Sequence, residues 1–217
     1  MPPVLRLHED TLSAEGALDA ALPAMPRMIF VVHGAVTIDG RTFGDGETWF
    51  GEGPLAMTPG EAGVTCWRFE LAPSSDASQV AGRDVVSHAK LSVPLDRLPA
   101  GDLLLRGDSV AFPPGGCAYR HTHQGPGIRC LIEGGIRIDT HGRSTSYGPG
   151  GAWFESGPEP VFAQGADRPT RFIRVMILPR ALLGKSSIAY VNAEDKAKPK
   201  SQQYKIYVDA PISWPRD

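Results

Sequence analysis

The sequence predicts an all-β protein made of two copies of one unit. The 25 glycines and 20 prolines of its 217 residues are spread between short apolar runs, the punctuation of many tight turns. The apolar residues mostly alternate: "GAVTID" places Val36 and Ile38 on one face, and "GIRIDT" does the same for Ile136 and Ile138. The chain also repeats itself. When Phe30 to Pro73 is laid over Cys130 to Pro179, Gly34 matches Gly134 and Asp39 matches Asp139. Further on, Trp49 and Phe50 match Trp153 and Phe154, Gly53 and Pro54 match Gly157 and Pro158, and Arg68 matches Arg174. The offset grows from 100 to 104 to 106, as short insertions in turns produce. Repeats of this kind set the architecture, here a β-barrel or sandwich in duplicate.

Taken in order, residues 1–75 form the first unit, within which "TLSAEGALDAALPAM" reads as a short helix capped by Thr11 or Ser13. Residues 76–100 supply a linker and connecting strand; the small, polar stretch from Ala72 to Arg83 reads as the linker, and "PLDRLP" as a single helical turn. Residues 101–180 form the second unit, entered through a strand in "GDLLLRGDSVAFPPGG". Its "RFIRVMILP" has the dense apolar pattern of a strand buried on both sides. Residues 181–217 are an extended tail in which a hydrophilic loop precedes "YKIYV", where Tyr204, Ile206 and Val208 alternate as a strand. A strand outside both repeats must cover an edge, on its own chain or on a neighbour. The loop is long enough to reach another subunit, and two-fold dimers are the commonest assembly, so a homodimer is expected.

Composition excludes several classes. Lys and Arg number 22 against 24 Asp and Glu, which argues for neither nucleic acid nor a membrane surface. No apolar run approaches the roughly 18 residues of a membrane span. The first residues carry acids and lack the apolar core of a secretory signal. Three cysteines without a CxxC pair fit reduced thiols in a cytoplasmic protein.

The chemistry concentrates in "YRHTHQGPGIRCLIEGG", Tyr119 to Gly135. On a strand, His121 and His123 point the same way and can converge on an ion inside a barrel. Together with Gly115 or Gly116 and with Gly134, they resemble the first motif of the cupins, G-x5-H-x-H-x3,4-E-x6-G. The second cupin motif is matched in outline: Gly150 starts it, and Pro158 sits where its glycine belongs. With the repeat, the chain is similar to a bicupin over about residues 28 to 180. That resemblance implies two double-stranded β-helix (jelly-roll) barrels in tandem. The departures lie at ligand positions. Gly127 stands where the family has glutamate, Val161 where it has histidine and Gly165 where it has asparagine. In the first copy Ala21 and Pro23 stand where the second has His121 and His123, so that copy is a degenerate barrel without a metal site.

Imidazole suits one divalent transition ion, Fe, Mn, Ni or Zn, which normally takes three or four ligands. Glu155 in "AWFESGP" is the candidate third ligand, with Glu159 and Gln124 as stand-ins. Two histidines and a carboxylate with open positions form the set used by non-haem iron oxygenases. The competing reading is a polar pocket that binds no metal. Arg129 lies on the face of the missing glutamate, and a buried guanidinium needs a partner. That partner is either the carboxylate of a bound substrate or the side chain of Glu155 or Glu133. Tyr119 and Cys117 share the face of the histidines by strand parity. Tyr119 or Glu155 is then a candidate for proton transfer, although a tyrosine there also serves simply as a barrel-mouth aromatic. Cys117 and Cys130 read as small buried hydrophobes, Trp49 and Trp153 as core, and His8, His33, His88 and His141 as structural or surface residues. The expected function is a metal-dependent enzyme, dioxygenase first, acting on a small anionic molecule. The alternatives are a metal-dependent isomerase, lyase or hydrolase, and a non-catalytic binding or sensor protein.

Overall fold

A computed structural model describes residues 2–73 and 80–214. The chain divides into two compact units, Met1–Arg97 and Leu98–Asp217. Among the described residues no helix is long and apolar enough to cross a membrane.

The first unit is one six-stranded antiparallel sheet. Its strands are β1 (Val4–Leu18), β2 (Arg27–Ile38), β3 (Arg41–Phe43), β4 (Thr48–Gly51), β5 (Thr58–Ala72) and β6 (Gly82–Pro94). The order is β3-β2-β5-β1-β6, with β4 also on β2. Two expectations fail here. The helix around residues 11–25 is absent, because β1 runs to Leu18, paired with β5 through Leu12 and with β6 through Leu18. Cross-strand pairing on both sides overrides a local helical preference. The "PLDRLP" turn is likewise irregular rather than helical. Of the expected linker, residues 74–79 lie outside the described residues, and residues 82–94 form β6 within the first sheet.

One wall of this unit is apolar, with Leu12, Leu22, Ile29, Val36, Ile38, Leu55 and Met57 buried together. The other buried feature is ionic. Arg68 forks onto Asp10 at 2.6 and 3.2 Å, and Glu70 receives Arg6 at 2.7 Å, Arg27 at 3.0 Å and Arg68 at 2.6 Å. His8 sits beside this cluster. Burial, reinforced by the Arg68 charge, depresses its pKa to about 4. The unfolded chain therefore takes up a proton near pH 6.5 that the folded one refuses. The stability tied to neutral His8 is present above that pH and lost as pH falls toward 4. Unfolding midpoints measured across this window should decline with acid, and His8→Gln should flatten the decline.

The second unit is a two-sheet sandwich. Its first strands are β7 (Leu103–Phe112), β8 (Cys117–His123), β9 (Gly127–Glu133), β10 (Ile136–Thr140) and β11 (Arg143–Tyr147). They are followed by β12 (Ala152–Glu155), β13 (Val161–Gly165), β14 (Thr170–Pro179), β15 (Ile188–Tyr190), a short helix α1 (Ala193–Ala197) and β16 (Gln203–Ile212). One sheet is ordered β11-β10-β13-β8-β15, the other β12-β9-β14-β7-β16. Their inner faces share a core in which Val110, Phe112, Leu131, Trp153 and Phe172 meet Ala118, Ile136, Ile138, Val161 and Ala163. The dense "RFIRVMILP" run is β14, buried through Leu178 on both faces. The tail completes this unit: β15 pairs with β8, and β16 pairs with β7 over its length. Covering the β7 edge within the same chain leaves the tail no need of a neighbour's edge.

The matched residues of the repeat do matching work. The order β4-β2-β5-β1-β6 in the first unit recurs as β12-β9-β14-β7-β16 in the second. Arg174 forks onto Asp108 at 2.9 and 2.7 Å, as Arg68 does onto Asp10. Gly34 and Gly134 have φ of 86° and 84°, and a Cβ at either would strike a backbone carbonyl, of Gly63 or of Pro169.

Candidate metal centre

Three buried side chains converge inside the second unit. His121, His123 and Glu155 each offer a ligand atom, and these atoms lie within 4.8 Å of one another. The two histidines project from β8, and Glu155 projects from β12 on the opposing sheet. The His121 ring lies 4.9 Å from that of His123 at 82°. The cavity between them has about 20 Å³, room for an ion or a water.

Outer contacts orient each group. His121 Nδ1 donates to the Tyr119 carbonyl at 2.7 Å, which leaves its Nε2 lone pair for the cavity. His123 Nδ1 lies 3.4 Å from Ser187 Oγ, and its Nε2 lies 3.7 Å from Glu155 Oε2. Burial depresses the pKa of both imidazoles, most strongly at His123, where the Arg174 and Arg129 charges add to it. Both are therefore neutral at neutral pH, the form that binds metal. Trp153 Nε1–H donates to Glu155 Oε1 at 2.9 Å. Arg129 Nη2 stands 2.7 Å from Glu155 Oε2, yet neither atom has a partner in hydrogen-bonding geometry. The contact is a charge pair without alignment. It leaves a buried carboxylate oxygen with unused lone pairs facing two imidazoles. An orphaned oxygen beside two neutral histidines fits a transition ion.

Register explains why the ligand set departs from the motif. Gly127 lies directly across from Glu155 in the β9–β12 pair, so the carboxylate comes from the neighbouring strand. A side chain at Gly127 would meet Met176 Cγ at 2.7 Å and Arg129 Nη1 at 2.9 Å, and Arg129 Nη1 already donates to the Gly127 carbonyl. The space of the missing glutamate is thus occupied. Val161 lies opposite His121 and belongs to the apolar core.

The other candidates are placed as follows. Arg129 is 1 % exposed and is committed to Glu155, the salt-bridge alternative; burial lowers its pKa to about 10 against the pull of Glu155. Tyr119 does not line the cavity. On β8 the three steps from Ala118 to His121 are matched by only two on β13, from Val161 to Ala163. This bulge reverses parity, so Ala118 takes the histidine face. The Tyr119 ring instead lies under the ammonium groups of Lys198 at 5.0 Å and Lys200 at 5.3 Å. Cys117 is half-buried, and its N–H donates to Ser201 Oγ. His141 faces Glu159 at 3.9 Å among exposed side chains, so Glu159 is no stand-in ligand. No motif pointed to Ser187, and Trp153 read only as core. The spacing of Trp153 and Glu155, two apart on one strand face, was the available signal.

If Glu155 is a ligand, Glu155→Gln should weaken metal binding by about tenfold or more, a size seen even for outer-shell losses. Calorimetric titration of the metal-free protein reads it directly, and unchanged affinity would remove Glu155 from the ligand set.

No protein-family model matches the chain, and no curated protein matches it in sequence. Solved structures match it in fold. A tryptophan-to-phenylalanine variant of oxalate decarboxylase from Bacillus subtilis superposes with a TM-score of 0.57 at 12 % identity, covering 82 % of this chain and 72 % of that one. AerE from Microcystis aeruginosa gives 0.57 at 12 %, over 82 % and 88 %. A further Bacillus subtilis oxalate decarboxylase structure, described for its Mn(II) centres, gives 0.57 at 13 %, over 86 % and 71 %. At these identities the likeness defines the fold: this is a cupin-fold protein. Its second unit carries a candidate two-histidine, one-glutamate metal centre.

Proposed function

We propose that the second unit is a metal-dependent enzyme of dioxygenase type acting on a small anionic organic substrate. The reading rests on the convergence of His121, His123 and Glu155 in a cavity whose fixed charges already cancel. Arg129 and Arg174 stand against Glu155 and Asp108, and both imidazoles are neutral. A divalent ion would leave this buried space two charges positive, which favours an anionic ligand. The ion, when bound, supplies Lewis acidity and open coordination positions. The chain holds both imidazoles by their Nδ1 atoms, fixes Glu155 through Trp153, and keeps water out with the Val110, Phe112, Ile138 and Phe172 walls. Glu155 is the one carboxylate among the lining residues, so carboxylate ligation falls on it.

The recurrent strand order and the paired Arg–Asp forks support reading the whole as a bicupin with a degenerate first barrel. Leu22 and Leu55 bridge in the first unit where His121 and Val161 pair in the second. A cytoplasmic location accords with three free cysteines. A homodimer accords with Tyr204 and Ile206, exposed by 48 % and 56 % on the edge strand β16. Light scattering should show a dimer at micromolar concentration that Ile206→Lys weakens; a monomeric parent overturns it.

One observation favours a second reading, a non-catalytic ligand-binding protein. A cavity of about 20 Å³ holds an ion and little else. Elemental analysis of untagged protein after reconstitution with Fe, Mn, Ni or Zn, followed by oxygen uptake and product analysis with small carboxylic acids, separates the two. One ion per chain with oxygen consumption is expected. Product without oxygen uptake indicates isomerase, lyase or hydrolase chemistry instead, and binding without turnover supports the second reading.

A further inference from the structure

A second, larger space adjoins the metal cavity. β11 and β12 are edge strands of the two sheets, and a cleft of about 330 Å³ is lined by the β10–β11 hairpin and by β12. That volume falls within the range of small-molecule sites, about 300–1,000 Å³. Ile138 and Trp153 line both spaces. Trp153 is therefore the partition. Its indole stacks on Tyr147 at 5.0 Å and 26°, meets Phe172 edge-on at 5.2 Å, and donates its N–H to the ligand carboxylate Glu155.

The cleft has a consistent chemistry. Tyr147, Trp153 and Phe154 give it aromatic surface, and Thr140 and Thr145 give it hydroxyls. Arg143 brings an exposed guanidinium with no ion-pair partner among the described residues. The His141 imidazole already faces Glu159 at 3.9 Å.

We propose that this cleft binds a planar aromatic carboxylate, its ring against Tyr147 and Phe154 and its carboxylate on Arg143. Stacking and a charge-assisted fork are the interactions that these residues offer. The cleft's role as the substrate's seat rests on the enzymatic reading of the metal centre, whereas its binding of such a ligand does not. It resolves the size problem: the body of the molecule stays in the cleft, and only a reacting edge need pass Trp153.

Benzoate is the probe, titrated into metal-free and metal-loaded protein while tryptophan indole and backbone amide resonances are followed. Saturable shifts at the Trp153 indole N–H and across residues 138–147 are expected in both forms. Arg143→Gln should weaken benzoate by about fivefold or more and leave neutral benzamide unchanged. Cyclohexanecarboxylate should bind less tightly than benzoate. Benzoate affinity unchanged in Arg143→Gln, or shifts confined to other residues, overturns the proposal. Benzoate bound in the cleft of a protein that takes up no metal would uphold the cleft and overturn the enzymatic reading alone.

Discussion

Asp108→Ala should destabilise the second unit by about 3–5 kcal/mol. Arg174 is 6 % exposed, and its guanidinium is held by both Asp108 oxygens at 2.7 and 2.9 Å. Removing the carboxylate leaves a buried cation without its counter-charge, and the register places Arg129, another cation, directly across from Arg174. Replacing both members by apolar residues, as in Asp108→Leu with Arg174→Met, removes charge and counter-charge together and should cost far less. Urea unfolding of the three proteins tests this. A single variant as stable as the parent would mean that Arg174 finds another anion, and Glu155 is the one at hand. The loss should also reach the metal centre, because it leaves the Arg174 charge uncompensated near His123, where it opposes binding of a cation.

The second large effect is on metal. The His121→Ala and His123→Ala double variant should lose stoichiometric binding, by more than about 100-fold, since losing even outer-shell partners costs 10- to 100-fold. Two of the three convergent donors go at once, and the remaining Glu155 is already paired with Arg129. The sandwich should survive, because its core lies in Val110, Phe112, Leu131, Ile136, Trp153 and Phe172 rather than in the histidines. Far-UV circular dichroism checks the fold while elemental analysis checks the ion. A parent protein that holds no metal after exposure to Fe, Mn, Ni and Zn would sink the idea.

Much of this was legible in one dimension. Period-two alternation with Gly and Pro punctuation announced an all-β chain, and Val36, Ile38, Ile136 and Ile138 are all buried where alternation puts them. The repeat matched Arg68 to Arg174 before either had a partner, and each proves to anchor a buried carboxylate fork. The pair His121 and His123, two apart on one strand, needed only strand geometry; Glu155, expected on a strand beside them, comes instead from β12 on the opposing sheet, where it pairs with β9.

The remainder depended on contacts between residues far apart in the chain. A local preference for helix near residue 11 lost to pairing with β5 and β6. The face of Tyr119 was decided by one extra residue in β8, which alternation cannot reveal because a bulge exists only relative to a partner strand. The 2.7 Å approach of Arg129 to Glu155 depends on the pairing of β9 with β12, which no local pattern reveals. Whether the tail covered its own barrel was decided by β7, which offered an edge of matching length. A sequence determines which side chains are able to share a face. Register, bulges and edges belong to pairs of strands, so only the tertiary structure decides which of them meet.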